Sequence, residues 1–359
     1  MAKTIGELAI KITASTAGFD QKIAGLGKAG QKAQASLANM ARVIDTSLKV
    51  AIVGASVAMG AFIASTTKIG AQFEKEVAIL GSIRGVTKAS IEGAKELGKF
   101  EARARQLGAS TAYSASEAVI GMQQLARAGL QTNSVISAVG PALQFAGASA
   151  SDMESATSLL ASTMKQFGLQ ANQASRITDA FTTIQQQSLF DMTSLTDAMR
   201  YAGTVGASFG WSLEQTTASV AMFRDLGLQG ASAGVQFRMA MMKLGKPTAE
   251  AERVLSKYNI GLEEVNPSLQ SFDKIARRLA KANLTFPELT TIFSARAAGS
   301  MSQIIEQFGT GSEKFTAFMD EIQKGQGVTE KTYKATLDNL SGFTDISKSA
   351  FQELQLTVF

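Results

Sequence analysis

The chain has 359 residues and a mass of 37.8 kDa, room for two or three compact units at about 150 residues each. Apolar residues make up 45% and charged residues only 18%, below the roughly 25% of an ordinary soluble domain; with aromatics at 7% and 14 Met, the core must be Ala, Leu, Ile, Val and Met, which suits closely packed helices. His and Cys are absent, which excludes Ser-His-Asp and Cys-His catalysis, His or Cys zinc sites, iron–sulfur clusters and disulfides.

The N-terminus lacks a charged stretch leading directly into an apolar run and cleavage site, so no secretory signal is read and synthesis in the cytoplasm is expected. Residues 7–13 place Leu8, Ile10 and Ile12 on one side and Ala9, Lys11 and Thr13 on the other, the period of a half-buried strand. This is the one convincing strand signal. A helical pattern begins near Ala17. Within it Gly25-Leu-Gly-Lys-Ala-Gly30 matches a dinucleotide-binding fingerprint, but a dozen residues of helical character separate it from the strand, so it is discounted. The net charge of +5 also sits here: residues 1–110 hold 15 Lys and Arg against 8 Asp and Glu, and the rest is nearly balanced. Lys3, Lys11, Lys22, Lys28, Lys32, Arg42 and Lys49 suit nucleic acid or anionic lipid by charge. The lack of interleaved aromatics favours a solvated helix face.

Residues 50–67 form an uncharged run of 18 between Lys49 and Lys68. As a helix it reaches about 27 Å against a hydrocarbon core of about 30 Å, so length does not decide its role. Ala51, Gly54, Ala55, Ala58 and Ala61 recur at steps of three and four, which lets helix backbones approach closely. The run is Ala- and Gly-rich and only marginally apolar. Val50, Ala51, Val53, Gly54, Val57, Ala58, Ala61 and Phe62 are therefore read first as contacts in a homo-oligomeric bundle and second as membrane contacts.

From 111 to 245 the chain is punctuated helix. Ser114-Ala-Ser-Glu117, Ser151-Asp-Met-Glu154 and Ser212-Leu-Glu-Gln215 each read as a capping box opening a helix. Met153, Ala156, Leu159, Leu160, Met164 and Phe167 share one face, as do Ile177, Ala180, Phe181 and Ile184, and then Leu195, Ala198, Met199, Ala202 and Val205. These stripes are core. Gly129-Leu-Gln131, Gly168-Leu-Gln170 and Gly227-Leu-Gln229 read as C-terminal caps, the glycine left-handed and the leucine folded back. Beyond Lys246-Pro247 helical patterns continue, with breaks expected at Pro267, Pro287 and Gly309 to Gly311. The last segment alternates steps of three and four through Leu337, Leu340, Thr344, Ser347, Phe351, Leu354 and Val358. Leu337, Leu340, Phe351, Leu354 and Val358 are the apolar members of a heptad seam suggesting a coiled coil. The seam reaches Phe359 with no capping residue, so a continuation is expected.

No catalytic set survives inspection. Glu263-Glu264 and Asp320-Glu321 are adjacent pairs that point about 100° apart on a helix, unsuited to a two-carboxylate site. Gly245-Lys-Pro-Thr248 ends like a phosphate-binding loop, but proline follows the lysine and the upstream glycine is missing. No cofactor or metal site is read.

The central stretch resembles the core of phage tail tape measure proteins. The resemblance runs in order through Ser114-Ala-Ser-Glu-Ala118, Leu125-Ala-Arg-Ala-Gly129, Phe167-Gly-Leu169, Ala198-Met-Arg-Tyr-Ala202, Ser212-Leu-Glu-Gln-Thr216, Gly230-Ala-Ser-Ala-Gly234, Phe237-Arg238 and Lys246-Pro247. The opening strand and Thr16-Ala-Gly-Phe-Asp20 look like the N-terminus of such proteins. The resemblance implies a non-enzymatic virion protein in the lumen of the tail tube, helping set tail length and assisting DNA passage after ejection. As partners it implies further copies of itself as a trimer or hexamer, the tube protein, tail tip or baseplate proteins and tail assembly chaperones. It also implies proximity to double-stranded DNA and to the host membrane after ejection. The expected fold is mainly α: strand, basic helix and apolar helix over 1–69, an irregular multi-helix core over 70–260, and a helical region over 261–359 leading into a coiled coil, the whole oligomeric. The alternative is a membrane-anchored pore former or signalling rod spanning with residues 50–67.

Overall fold

The structure, a computed structural model, describes residues 54–358. The expected strand at 7–13, the basic helix from Ala17, and Val50, Ala51 and Val53 lie outside the described residues. Among the described residues there are helices and no strand, as the apolar stripes at helical spacing require. The chain divides into two compact units: residues 54–140 with 334–358, and Pro141–Tyr333.

The first unit opens with α1 (Gly54–Arg84), α2 (Ile91–Ser110) and α3 (Ala115–Arg127), and α1 and α2 both pack on α3. Their meeting faces bury Val77 and Leu80, Leu97, Phe100 and Leu107, and Val119, Met122 and Leu125. The expected box at Ser114 is present: the Glu117 amide donates to Ser114 Oγ at 3.2 Å, and the Ser114 amide donates to Glu117 Oε2 at 2.7 Å. Arg84 ends α1 and ties in the following turns, donating to the carbonyl of Leu130 at 3.3 Å and pairing with Glu96 at 3.3 Å. Among the described residues no helix is long and apolar enough to cross a membrane. Instead α1 runs on through Lys68, Glu74, Lys75 and Glu76, so the reading of residues 50–67 as a permanent span finds no support.

Helix α4 (Thr132–Ala148) carries the chain across the unit boundary at Gly140–Pro141, with Pro141 inside the helix. Proline offers no N–H to the carbonyl one turn earlier. Within the first unit, Arg103 Nε donates to the Ile136 carbonyl at 3.2 Å, and a Cβ at Gly140 would lie 2.8 Å from Arg103 Nη2.

The second unit contains α5 (Met153–Phe167), α6 (Ala174–Gln187), α7 (Met192–Ser208), α8 (Leu213–Arg224), α9 (Gly230–Gly245), α10 (Ala249–Lys257), α11 (Leu262–Val265), α12 (Phe272–Ala280), α13 (Phe286–Phe293), α14 (Ala295–Gly309) and α15 (Lys314–Lys324). The three apolar stripes of α5, α6 and α7 are buried except for the half-buried Met153 and Phe167. Gly129, Gly168 and Gly227 have φ of 89°, 65° and 85°, the left-handed conformation expected of helix stops in both units. Two local readings are corrected. Helix α5 is capped by Asp152, which accepts from the Ser155 amide at 2.7 Å, so the box does not begin at Ser151. Pro287 does not break a helix but sits in the first turn of α13, where the missing N–H costs no hydrogen bond. An aromatic cluster closes the core: Trp211, Phe223, Phe237, Phe272, Phe308 and Phe315 form ring pairs with centroids 5.7 to 6.4 Å apart.

Helix α16 (Val328–Thr336) crosses back at Tyr333 and Lys334, and α17 (Leu340–Val358) packs on α1 and α2 within the first unit.

Candidate functional site

Three of the stretches that carry the sequence resemblance, Ala198-Met-Arg-Tyr-Ala202, Gly230-Ala-Ser-Ala-Gly234 and Phe237-Arg238, lie on α7 and α9, the most extensively packed helix pair of the second unit. Gly230 and Gly234, one turn apart, present bare backbone. A Cβ at Gly230 would stand 2.1 Å from the Ser194 carbonyl oxygen, and one at Gly234 would stand 2.3 Å from that of Ala198. No other residue permits that approach. Beside the contact Arg238 lies over the Tyr201 ring, 5.4 Å from its centroid, a cation–π pair that locks the two helices in register. Phe237, fully buried on α9, reaches Trp211 at 5.9 Å and Phe223 at 6.0 Å. On the other side of α7, a Cβ at Gly206 would meet Thr216 Oγ1 at 2.1 Å. That threonine belongs to the α8 turn opened by the Ser212–Gln215 box, whose two bonds measure 3.0 and 3.1 Å.

In the same unit a groove of about 740 Å³ opens between the starts of α6 and α8 and the end of α15; Asn172, Arg176, Asp179, Glu214, Gln323 and Gln326 are among its lining residues. Its charged groups are paired. Arg176 donates from Nε and Nη2 to the two Glu214 oxygens at 2.8 and 3.0 Å. Burial pushes the Glu214 carboxyl up, but the Arg176 hydrogen bonds and the backbone amide at the start of α8 outweigh it, and the group sits below the usual range. Asp179, buried in α6, accepts from the backbone amides of Gly327 at 2.8 Å and Thr329 at 2.9 Å, fixing the start of α16. Thr182 and Thr329 share a hydroxyl bond of 2.9 Å beside it. These groups are occupied in holding helices. Among the described residues no set of three or more carboxylates could hold a metal ion.

Gly54, Val57, Ala58, Ala61 and Phe62 lie on the first turns of α1. Leu337 falls in the turn before α17, while Leu340, Phe351, Leu354 and Val358 lie on α17, where Phe351 is 53% exposed. Of the acidic pairs, Glu264 works as a cap in α11, accepting from the Gly261 amide at 2.8 Å and Arg278 Nε at 2.7 Å. The role of Asp179 escaped sequence reasoning. Its signal was an acid beside the apolar stripe of Ile177, Ala180 and Phe181, but its partners lie 148 and 150 positions away.

A family model described as phage-related minor tail protein matches residues 101–295. The chain is 29% identical over 303 residues to a tape measure protein of Pneumococcus phage Dp-1, covering 83% of this chain and 26% of that protein. It is 26% identical over 302 residues to a probable tape measure protein of Escherichia phage P2, covering 81% and 36%. It is 20% identical over 348 residues to a probable tape measure protein of Clostridium phage phiCD119, covering 91% and 35%. The chain thus spans about a quarter to a third of the length of the curated relatives it matches. No solved structure matches it.

Proposed function

This chain belongs to the phage-related minor tail protein family, and from that premise we propose that it acts in the lumen of the tail tube, where the protein it is part of helps set tail length during assembly and leaves ahead of DNA on infection. Its recognition as a region of a tape measure protein makes it a structural component of the phage tail. The observation that carries the reading is the run of curated relatives named as tape measure proteins across 81% to 91% of the chain. The glycine crossing of α7 and α9 supports it, because Gly230 and Gly234 of the resemblance are residues that the helix packing requires. The role is architectural: the unit is built from satisfied caps, paired charges and an apolar core, which suits a body that others assemble on. The first turns of α1, with Gly54, Ala58 and Ala61, are proposed as packing positions between copies.

A nonsense codon early in this chain tests the proposal. The parent phage should yield tails of one length that contain these peptides in a polypeptide heavier than 37.8 kDa, protected from external protease until ejection. The mutant should yield no tails, or tubes of scattered length. Mutant tails of normal uniform length would sink the length-setting role, and cleavage by external protease in intact tails would sink the lumenal placement.

A further inference from the structure

We infer that α17 is a releasable strap, a helix that leaves α1, α2 and α3 as one piece while those three stay folded. The inference starts from what the helix buries. Among the described side chains of α17, those of Ser349, Gln355 and Leu356 are buried, so two of the three are polar. With Gly342, also buried, Ser349 and Leu356 follow at steps of seven along a single stripe. The apolar positions of the heptad pattern are a different stripe: Phe351 remains 53% exposed and Leu354 half-buried. The most deeply buried positions are thus mostly polar, with Phe343 and Ile346 half-buried beside them.

Polar atoms hold the helix. Ser349 Oγ lies 2.6 Å from the Gly108 carbonyl oxygen and 2.7 Å from that of Tyr113, so its one hydrogen is shared between two acceptors at the α2–α3 turn. Gln355 Nε2 donates to Ser65 Oγ at 3.0 Å. Arg105 donates from Nε to Glu353 at 2.8 Å and from Nη2 to Thr357 at 3.0 Å. On undocking, each of these groups exchanges its protein partner for water at small net cost, whereas apolar burial has no such replacement. The other three helices also pack on one another, with α1 and α2 both meeting α3. Leu97, Phe100 and Ala104 of α2 and Ala118, Val119 and Met122 of α3 are buried where α1, α2 and α3 meet one another. Release therefore removes one helix and leaves the packing of α1 and α2 on α3 in place.

Hydrogen exchange with mass spectrometry on the whole chain tests this. Amides of 342–356 should exchange together, at least about tenfold faster than those of α2, without denaturant, as for a unit that opens locally. Ser349→Ala should speed α17 several-fold and leave α2 unchanged, and Gln355→Leu should slow α17. Exchange of α17 as slow as that of α2 would overturn the inference, as would equal acceleration of both helices by Ser349→Ala.

Discussion

The indole Nε1 of Trp211 donates to the carbonyl oxygen of Pro267 at 2.7 Å, fastening the loop before α8 to the loop before α12. Trp211 is 6% exposed, so the carbonyl it satisfies would be left dry without it. Trp211→Phe keeps the aromatic contacts but removes the donor. It should cost about 1–3 kcal/mol, read from urea unfolding by circular dichroism. A loss below about 0.5 kcal/mol would mean that the ring alone does the work.

Glycine matters by position. Gly234→Ala must push α7 and α9 apart and should destabilise by about 1–3 kcal/mol or more. Gly299→Ala, inside α14 with nothing within 4 Å of the new methyl, should stabilise by about 0.5–1 kcal/mol. Thermal unfolding of the two variants side by side checks both signs.

Asp179 holds the start of α16 through two backbone amides. Asp179→Ala strands both donors and should cost about 1–3 kcal/mol. Exchange of the amides of 327–333 should accelerate more than that of α7. Uniform acceleration across the unit would instead assign Asp179 to the general core.

Glu288 caps α13 and is surrounded by donors. The Lys257 ammonium, the Thr285 amide and hydroxyl and the Tyr258 hydroxyl hold its carboxyl down, from the ordinary 4.5 to about 2. A carboxyl lowered on folding contributes stability that is full above the unfolded value and is lost as pH falls through the folded one. The advantage of the parent chain over Glu288→Gln should therefore be full above pH 4.5 and vanish towards pH 2. Urea midpoints at pH 6, 4 and 2.5 follow it. Because the pair with Lys257 is exposed, 1 M salt should shrink the difference.

What was legible in the sequence was local. The boxes at Ser114 and Ser212 and the glycine stops at 129, 168 and 227 are set by groups within a few positions of one another, and they stand where the pattern puts them. At Ser151 the motif offered two short polar side chains in a row, and only geometry could choose Asp152 as the cap. The seam and the buried face of α17 are separate stripes for a different reason. Heptad spacing reports which residues are apolar, and at Ser349 and Gln355 the packing is decided by carbonyl acceptors and a hydroxyl on other helices. The α7–α9 crossing was visible only as a low-information string, Gly230-Ala-Ser-Ala-Gly234. Nothing in that string names Ser194 and Ala198 as the backbone it must touch. The return of residues 334–358 to the first unit has no local signal at all.

That return has a consequence for synthesis. A ribosome delivers residues 54–140 first, yet the helix that completes their unit emerges only after all of Pro141–Tyr333. At about 5–20 residues per second the wait is roughly 10–40 s. The inserted unit can finish folding within that time, so the order of completion runs from the middle of the chain outwards. The early helices meanwhile present to solvent the flank that α17 will cover, with Gly108, Tyr113 and Arg105 in water. Those groups can bond to water during the interval and exchange it for Ser349 and Glu353 when α17 arrives.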